Sequence, residues 1–208
     1  MKTARFFVLI ALVFSVWSVR GQGVFTYDQQ SSTNETFVPG GGSIQGLAPY
    51  GQSFTPLASS MNFIRLGVLD QNPNNGLGGT LHLNLRSDTI GGSILATTPS
   101  LSFADGYSSF AYFFFSADIP LNSGNLYVFE IVAEPGSDAW RASAGEYSYP
   151  GGMVFAGGAP ASGSDFWFRE GTHTVPEPSV LSMFGLGALL LGWRWRSLAS
   201  GHARHSAP

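Results

Sequence analysis

The sequence predicts an all-β fold, a single antiparallel β-sandwich flanked by a signal peptide and a C-terminal transmembrane helix. Short apolar segments alternate with turn-forming residues from Ser53 onward, as is typical of sandwiches. Within residues 53–170 no sustained helical period is present, so helix there should be minimal. The 208 residues include no cysteine, so the hydrophobic core alone must hold the fold.

The N-terminus has the pattern of a secretory signal peptide. Lys2 and Arg5 precede an apolar segment from Phe6 to Val19, which is too short for a comfortable membrane span. We expect cleavage after Gly21 or Gly23.

Period-two alternation predicts the main strands and their inner faces. Strands are expected near residues 24–27, 62–69, 80–86, 94–97, 101–103, 110–115, 125–133 and 166–169. The inward side chains should be Ile64, Leu66, Val68, Leu81, Leu83, Leu85, Tyr127, Phe129 and Ile131. Their outward neighbours should be His82, Asn84, Arg86 and Glu130, the last facing water. Residues 110–115 are so apolar that we expect a central strand covered on both sides.

The C-terminus carries three features in order. The triplet Pro176, Glu177 and Pro178 should be extended, because proline removes a backbone donor and disfavours helix before itself. An uncharged apolar segment, residues 180–193, follows, and Arg194 and Arg196 close it. As a helix, residues 179–195 would rise only about 25 Å. Because a hydrocarbon span needs roughly 30 Å, the segment is marginal as a permanent anchor.

These three features resemble the PEP-CTERM sorting signal of Gram-negative bacteria, also labelled ice-binding protein C-terminal domain. The resemblance implies recognition by an exosortase-type transpeptidase, membrane insertion during sorting, and attachment or release at the cell surface or extracellular matrix. The chain differs in having only two clustered arginines and a polar tail. A tail anchor after a proline-rich linker is the alternative. We divide the chain into signal peptide (1–23), sandwich (24–170), linker (171–175), sorting segment (176–196) and tail (197–208).

A second resemblance concerns the sandwich itself. The segments Gly51–Thr55, Leu121–Phe129 and Phe166–Arg169 are similar to those of a jelly-roll module common in bacterial surface proteins. The resemblance implies a jelly-roll-like, galactose-binding-like sandwich, and it transfers no binding residue.

Charge limits the partners of the exported part. Thirteen acidic and four basic residues lie between Asp28 and Glu177, a formal charge of −9. Nucleic-acid binding requires basic patches, so we expect no nucleic-acid partner. The absence of cysteine excludes thiol catalysis and thiolate metal sites.

Two sets of residues are candidate binding sites. Asp70, Asn72 and Asn74 place oxygen donors at alternate positions, which would suit a structural calcium ion, although the EF-hand pattern fails at its sixth and twelfth positions. A polar hairpin loop explains the same residues. Trp140, Tyr147, Tyr149 and Trp167 would suit stacking against sugar rings if exposed, or would cap the core if buried.

No catalytic motif is present: the nucleophile elbow, the zinc-protease helix and the phosphate-binding loop are all missing. His82 and His173 are expected on a polar strand face and in the linker, and a Glu130–Asp165 carboxylate pair has no specific support. The sequence therefore predicts a non-enzymatic surface or matrix protein that is associated with exopolysaccharide. It predicts no cofactor, and structural calcium is the one candidate ion. A secreted carbohydrate-active enzyme and a purely structural protein without ligand are the alternatives.

Overall fold

The computed structural model describes residues 23–145 and 147–175. Phe25–His173 forms one compact unit. The predicted signal peptide, sorting segment and tail lie outside the described residues. No helix long and apolar enough to span a membrane occurs between residues 23 and 175 where the structure describes them.

The regular structure of the described chain is entirely β, which confirms the predicted class. The strands are β1 Val24–Gln30, β2 Gly42–Ser43, β3 Tyr50–Phe54, β4 Ser60–Asp70, β5 Gly79–Ser87, β6 Ile94–Thr97, β7 Leu101–Phe103, β8 Ser108–Pro120, β9 Tyr127–Ala133, β10 Trp140–Ala142, β11 Ala144–Gly145, β12 Val154–Ala156, β13 Ala159–Ala161, β14 Asp165–Phe166 and β15 Phe168–Thr174.

Two antiparallel sheets form the sandwich. Sheet I has the order β1-β15-β4-β10-β2, with β8 paired to the other edge of β4. Sheet II has the order β13-β12-β3-β9-β5-β6, with β7 beside β6 along the same edge of β5. The short strands β11 and β14 form a separate pair. The longest strand pairings are β4 with β8 in sheet I and β5 with β9 in sheet II.

The core lies between the inner faces of the sheets, where the predicted alternation places it. The predicted inward residues of β4, β5 and β9 all belong to one buried cluster. Leu83 and Phe129 are fully buried within it. Other large side chains of the cluster include Phe113, Trp140, Phe166 and Phe168.

Several expectations about individual strands are wrong. β8 is not central, since β4 is the one described strand that pairs with it. Glu130 does not face water but is 8% exposed, because Arg86 and Asn84 from β5 cover its carboxylate. Asn84 is likewise buried on this outer face.

The expected linker 171–175 is also wrong as a structural assignment. β15 continues through it to Thr174, so His173 lies in a strand. Pairing with β4 and with β1 satisfies the backbone of this polar segment, which shows little hydrophobic alternation. The sequence reading also missed β2, β3 and the short strands β10 to β13.

Candidate functional site

The outer side of sheet I carries a concentration of aromatic rings. Alternation along β8 sends Phe113 into the core and directs Tyr112 and Phe114 outward. Neighbouring strands add further rings on the same side. We call this surface the aromatic face; it comprises Phe25, Tyr27, Phe63, Phe110, Tyr112, Phe114 and His173.

The rings of the aromatic face support one another around a buried centre. Phe63 is fully buried and lies 5.2 Å from Phe25, with the two rings edge to face. The rings of Tyr112 and Phe114 lie on the solvent side of Phe63. Their centroids are 5.9 Å apart and their planes are inclined by 12°. Phe114 is 39% exposed, the most accessible large apolar side chain of this face. The outer rings are thus held rigidly while their faces remain partly in contact with solvent.

A glycine allows β1 to approach this face. Gly171 of β15 is the register partner of Phe63. A Cβ atom at residue 171 would lie 2.0 Å from the carbonyl oxygen of Thr26. Only glycine therefore permits the close contact of β15 with β1, the strand that supplies Phe25 and Tyr27.

Two arginines border the aromatic face. Arg65 of β4 and Arg169 of β15 are register partners, so their side chains lie side by side on the outer surface. The side chain of Arg65 is 13% exposed and that of Arg169 is 7% exposed. We call these two residues the arginine pair.

Aromatic rings and one carboxylate hold the arginine pair in place. The Arg65 guanidinium lies 4.7 Å from the Phe110 centroid and 5.0 Å from that of Tyr112, and Arg169 lies 5.0 Å from Trp167. Such cation–π contacts strengthen as the cation is desolvated. Glu35, on the loop between β1 and β2, contacts both guanidinium groups.

The electrostatics follow from this geometry. Hydrogen bonding from Arg65, followed by the charges of the two arginines, lowers the pKa of Glu35 despite the opposing effect of desolvation. Burial raises the pKa of Tyr112 to about 12, with Tyr27 adding to the effect, so its hydroxyl stays protonated at neutral pH. The hydroxyl oxygens of Tyr27 and Tyr112 lie 3.2 Å apart, within hydrogen-bond distance. The site therefore combines hydrogen-bonding hydroxyls, cations and aromatic surface.

The predicted aromatic set does not form an exposed surface. Trp140 is fully buried, its ring 5.4 Å from that of Phe103, and Tyr149 is 6% exposed with its hydroxyl bonded to Gln29. Trp167 is also buried, and its indole N–H donates to the Asn34 carbonyl. Only Tyr147 stays partly exposed. Of the two alternatives, the other three side chains follow burial, because the topology places them at or between the sheets.

The candidate calcium residues begin at Asp70, the last residue of β4, and continue into the loop that follows. Asp70 is buried, and its two carboxylate oxygens accept hydrogen bonds from the backbone N–H groups of Asn72 and Gly106. Asn74 has a φ of 73° and donates its N–H to Asp105. These bonds are the ones that a polar turn requires, so the loop is accounted for without an ion. Calcium binding stays a prediction.

The carboxylate pair considered from the sequence is not formed. Glu130 lies on the outer face of sheet II, whereas Asp165 accepts hydrogen bonds from Gln52 and from the backbone of Tyr149 at the core. Because Gln52 pairs with Phe129, it lies on the opposite face of the sheet from Glu130. His82 bonds Glu134 on the polar side of β5 as expected, and His173 stacks on Phe25 at 4.3 Å. Across residues 23–145 and 147–175 no three acids or histidines are grouped for a metal ion.

Glu170 was not singled out from the sequence. It is fully buried on the inner side of β15, and neither carboxylate oxygen has a hydrogen-bond partner. Desolvation, reinforced by the charge of Asp28, raises its pKa to about 9. The group is therefore a neutral acid at pH 7, and its burial prevents contact with a solute.

Comparison with known proteins identifies one segment. Residues 174–197 match the PEP-CTERM protein-sorting motif, beginning at the last residue of β15. No similar protein was found among the curated proteins. The match confirms the sorting interpretation: the protein is exported, carries a membrane-anchored C-terminal sorting signal and is processed by an exosortase. The side chains of the triplet and of the two arginines after it lie outside the described residues.

Proposed function

We propose that this protein is a non-enzymatic component of the cell surface or extracellular matrix that binds exopolysaccharide through the aromatic face. In this proposal the sandwich is a jelly-roll of the galactose-binding-like type. The single observation that carries it is the cluster of supported, partly exposed rings on the outer side of sheet I. The sorting motif supports the proposal because it indicates export, and extracellular polymers are accessible only to an exported protein.

The chemistry of the aromatic face suits a sugar ring. One side of a pyranose presents mainly C–H groups, and packing it on an aromatic ring removes apolar surface of both partners from water. Phe25, Tyr112 and Phe114 offer neighbouring rings for successive contacts. The hydroxyl of Tyr27 and the Asn62 side chain, which bonds Asp118, add polar groups nearby.

Rigidity favours binding at this surface. Aromatic side chains have few torsions, and these rings are already packed against Phe63, so little side-chain entropy remains to be lost on binding. An extended polymer can also contact several rings at once, which multiplies weak individual contacts.

The alternatives predict different behaviour. A carbohydrate-active enzyme needs two accessible carboxyl groups roughly 5–10 Å apart, a requirement that Glu130 and Asp165 do not meet because they lie on opposite faces. A purely structural protein would show no saturable binding. Saturable binding of the polysaccharide therefore distinguishes the proposal from a purely structural protein. A polymer length that does not change on incubation with the protein distinguishes it from an enzyme.

The test is affinity electrophoresis of the exported protein in gels containing the host's own exopolysaccharide. Phe114→Ala should reduce affinity at least about fivefold, equivalent to roughly 1 kcal/mol. The matched control is Ile94→Ala, which removes another exposed apolar side chain, 51% exposed, from sheet II. Equal retention of both variants, or no retention of the wild type, would contradict the proposal.

A further inference from the structure

Glu35 occupies a position that an external anion would fit. Its carboxylate accepts hydrogen bonds from Nη1 of Arg65 and from Nη1 of Arg169, and its second oxygen lies 2.8 Å from Nη2 of Arg65. Its own side chain is 54% exposed, whereas both arginines are almost buried. One exposed carboxylate thus neutralises two nearly buried cations.

The arginine pair has hydrogen-bonding capacity that Glu35 does not use. Nε of Arg65 and Nη2 of Arg169 are buried and have no partner. Buried unpaired donors are costly, and those on a charged group cost most. Because Arg65 and Arg169 are register partners on one face, their charges also repel one another. Two positive charges against one negative charge leave the site locally cationic, although the exported segment as a whole is acidic.

We propose that the arginine pair is an anion subsite of the aromatic face, which binds the carboxylate of a uronic acid when the side chain of Glu35 moves aside. This inference rests on the proposed function and specifies its ligand as an acidic polysaccharide. Arginine suits the role because its planar guanidinium binds carboxylates through two parallel hydrogen bonds.

The exchange of carboxylates requires only a local movement. The backbone of the Glu35 loop is held independently, since the Ser32 carbonyl accepts from Nε of Arg169 and the Asn34 carbonyl accepts from the Trp167 indole. Glu35 can therefore rotate into solvent while its neighbours keep the loop in place. The incoming carboxylate would replace the bonds that Glu35 makes, so the two nearly buried guanidinium groups would keep an anionic partner.

The subsite is continuous with the stacking surface. The Arg65 guanidinium lies 4.7 Å and 5.0 Å from the centroids of Phe110 and Tyr112. A uronic acid joins its carboxylate directly to the pyranose ring, so one sugar unit can contact an arginine through the carboxylate and an aromatic ring through its C–H face.

Titration calorimetry with oligogalacturonate as the probe tests this proposal on the exported protein. Glu35→Gln removes the competing carboxylate and should raise the affinity at least about tenfold, or roughly 1.4 kcal/mol. The fully methyl-esterified oligomer, which has the same ring without the charge, should bind wild type and variant equally. Glu134→Gln makes the same change of charge at the residue after β9, where Glu134 pairs with His82 of sheet II, and should leave the affinity for oligogalacturonate unchanged.

The wild-type protein supplies a second measurement that does not depend on a folded variant. The NMR signal of the Trp167 indole N–H, which bonds the Glu35 loop, should shift saturably with galacturonic acid and remain unchanged with its methyl ester. An unshifted signal, unchanged affinity of Glu35→Gln, or an equal gain in Glu134→Gln would overturn the anion subsite.

The two proposals fail in different ways. If Phe114→Ala weakens binding of the host exopolysaccharide but Glu35→Gln does not change the affinity for oligogalacturonate, the aromatic face is supported and the anion subsite is wrong. If galacturonic acid shifts Trp167 while no polysaccharide is retained, the anion subsite stands and the polysaccharide function is wrong.

Discussion

Replacing Glu170 with glutamine should stabilise the protein at neutral pH, because it removes an acid that the fold holds in an unfavourable place. The side chain is fully buried beside Asp28, and its pKa is about 9 instead of 4.5. The folded state therefore keeps a proton that the unfolded state releases. Stability associated with Glu170 is fully present below pH 4.5 and is lost as the pH rises towards about 9.

The magnitude follows from the difference between the two pKa values. Each pH unit between them costs about 1.4 kcal/mol, so at pH 7 the wild type should be less stable than Glu170→Gln by roughly 3 kcal/mol. Below pH 4.5 the two proteins should be nearly equal, since a neutral carboxylic acid and an amide are similar in size and polarity. Asp28 and Tyr149 are the titratable groups that face Glu170, and both are present in each protein.

Urea unfolding at a series of pH values from 4 to 8.5 provides the assay. The midpoint difference between variant and wild type should widen steadily above pH 4.5. Glu35→Gln is a control of opposite sign, because the fold lowers the pKa of Glu35: the wild type should be the more stable protein at neutral pH, and the difference should fade in acid. A constant difference for Glu170→Gln at every pH would refute the reasoning.

Three further predictions concern other parts of the chain. Gly171→Ala should destabilise the sandwich by about 1–3 kcal/mol in urea unfolding, because its Cβ would clash with the carbonyl oxygen of Thr26. The control Gly91→Ala, which has open space around it, should have little effect. Similar unfolding midpoints for the two variants would disprove the close approach of β15 to β1. If the Asp70 loop binds calcium, the melting temperature should rise with added calcium, and curves that superimpose in calcium and chelator would favour the hairpin interpretation. Replacing residues 176–178 with alanines should leave a larger, membrane-retained precursor on immunoblots. Normal processing of this variant would mean that the exosortase does not recognise the triplet.

Alternation predicted the strands that have one apolar face. In β5, Leu81, Leu83 and Leu85 lie in the core as expected, because a period of two has only one arrangement that buries all three. The sorting motif was equally clear, since its order of proline, apolar and basic residues depends on local sequence alone.

The position of β8 shows that hydrophobic patterns do not predict the order of strands in a sheet. The aromatic-rich segment 110–115 does contact apolar surface on both sides, but the outer contacts come from Phe25 of β1 in the same sheet and not from a second packed layer. An apolar sequence indicates that both faces of a strand are covered, but it does not indicate which neighbouring element covers each face. The predicted central position of β8 is therefore wrong, because coverage by β1 accounts for the apolar outer side chains.

The arginine pair and β15 could not be found from local sequence. Arg65 and Arg169 become neighbours through a strand pairing between distant segments, and Glu35 joins them from a loop without regular structure. β15 is polar along most of its length, and one of its inward residues is the buried acid Glu170. The pairing of β15 with β4 and with β1 brings these groups together.

The most direct measurement of the account is an NMR titration of the exported protein, carrying ¹³C-labelled phenylalanine and tyrosine rings, with the host's exopolysaccharide. We predict saturable shifts for Phe25, Tyr112 and Phe114, with no shift for the buried ring of Phe129 in the core. Shifts confined to rings away from the aromatic face, such as Tyr147, or the absence of any saturable shift, would contradict polysaccharide binding at this surface.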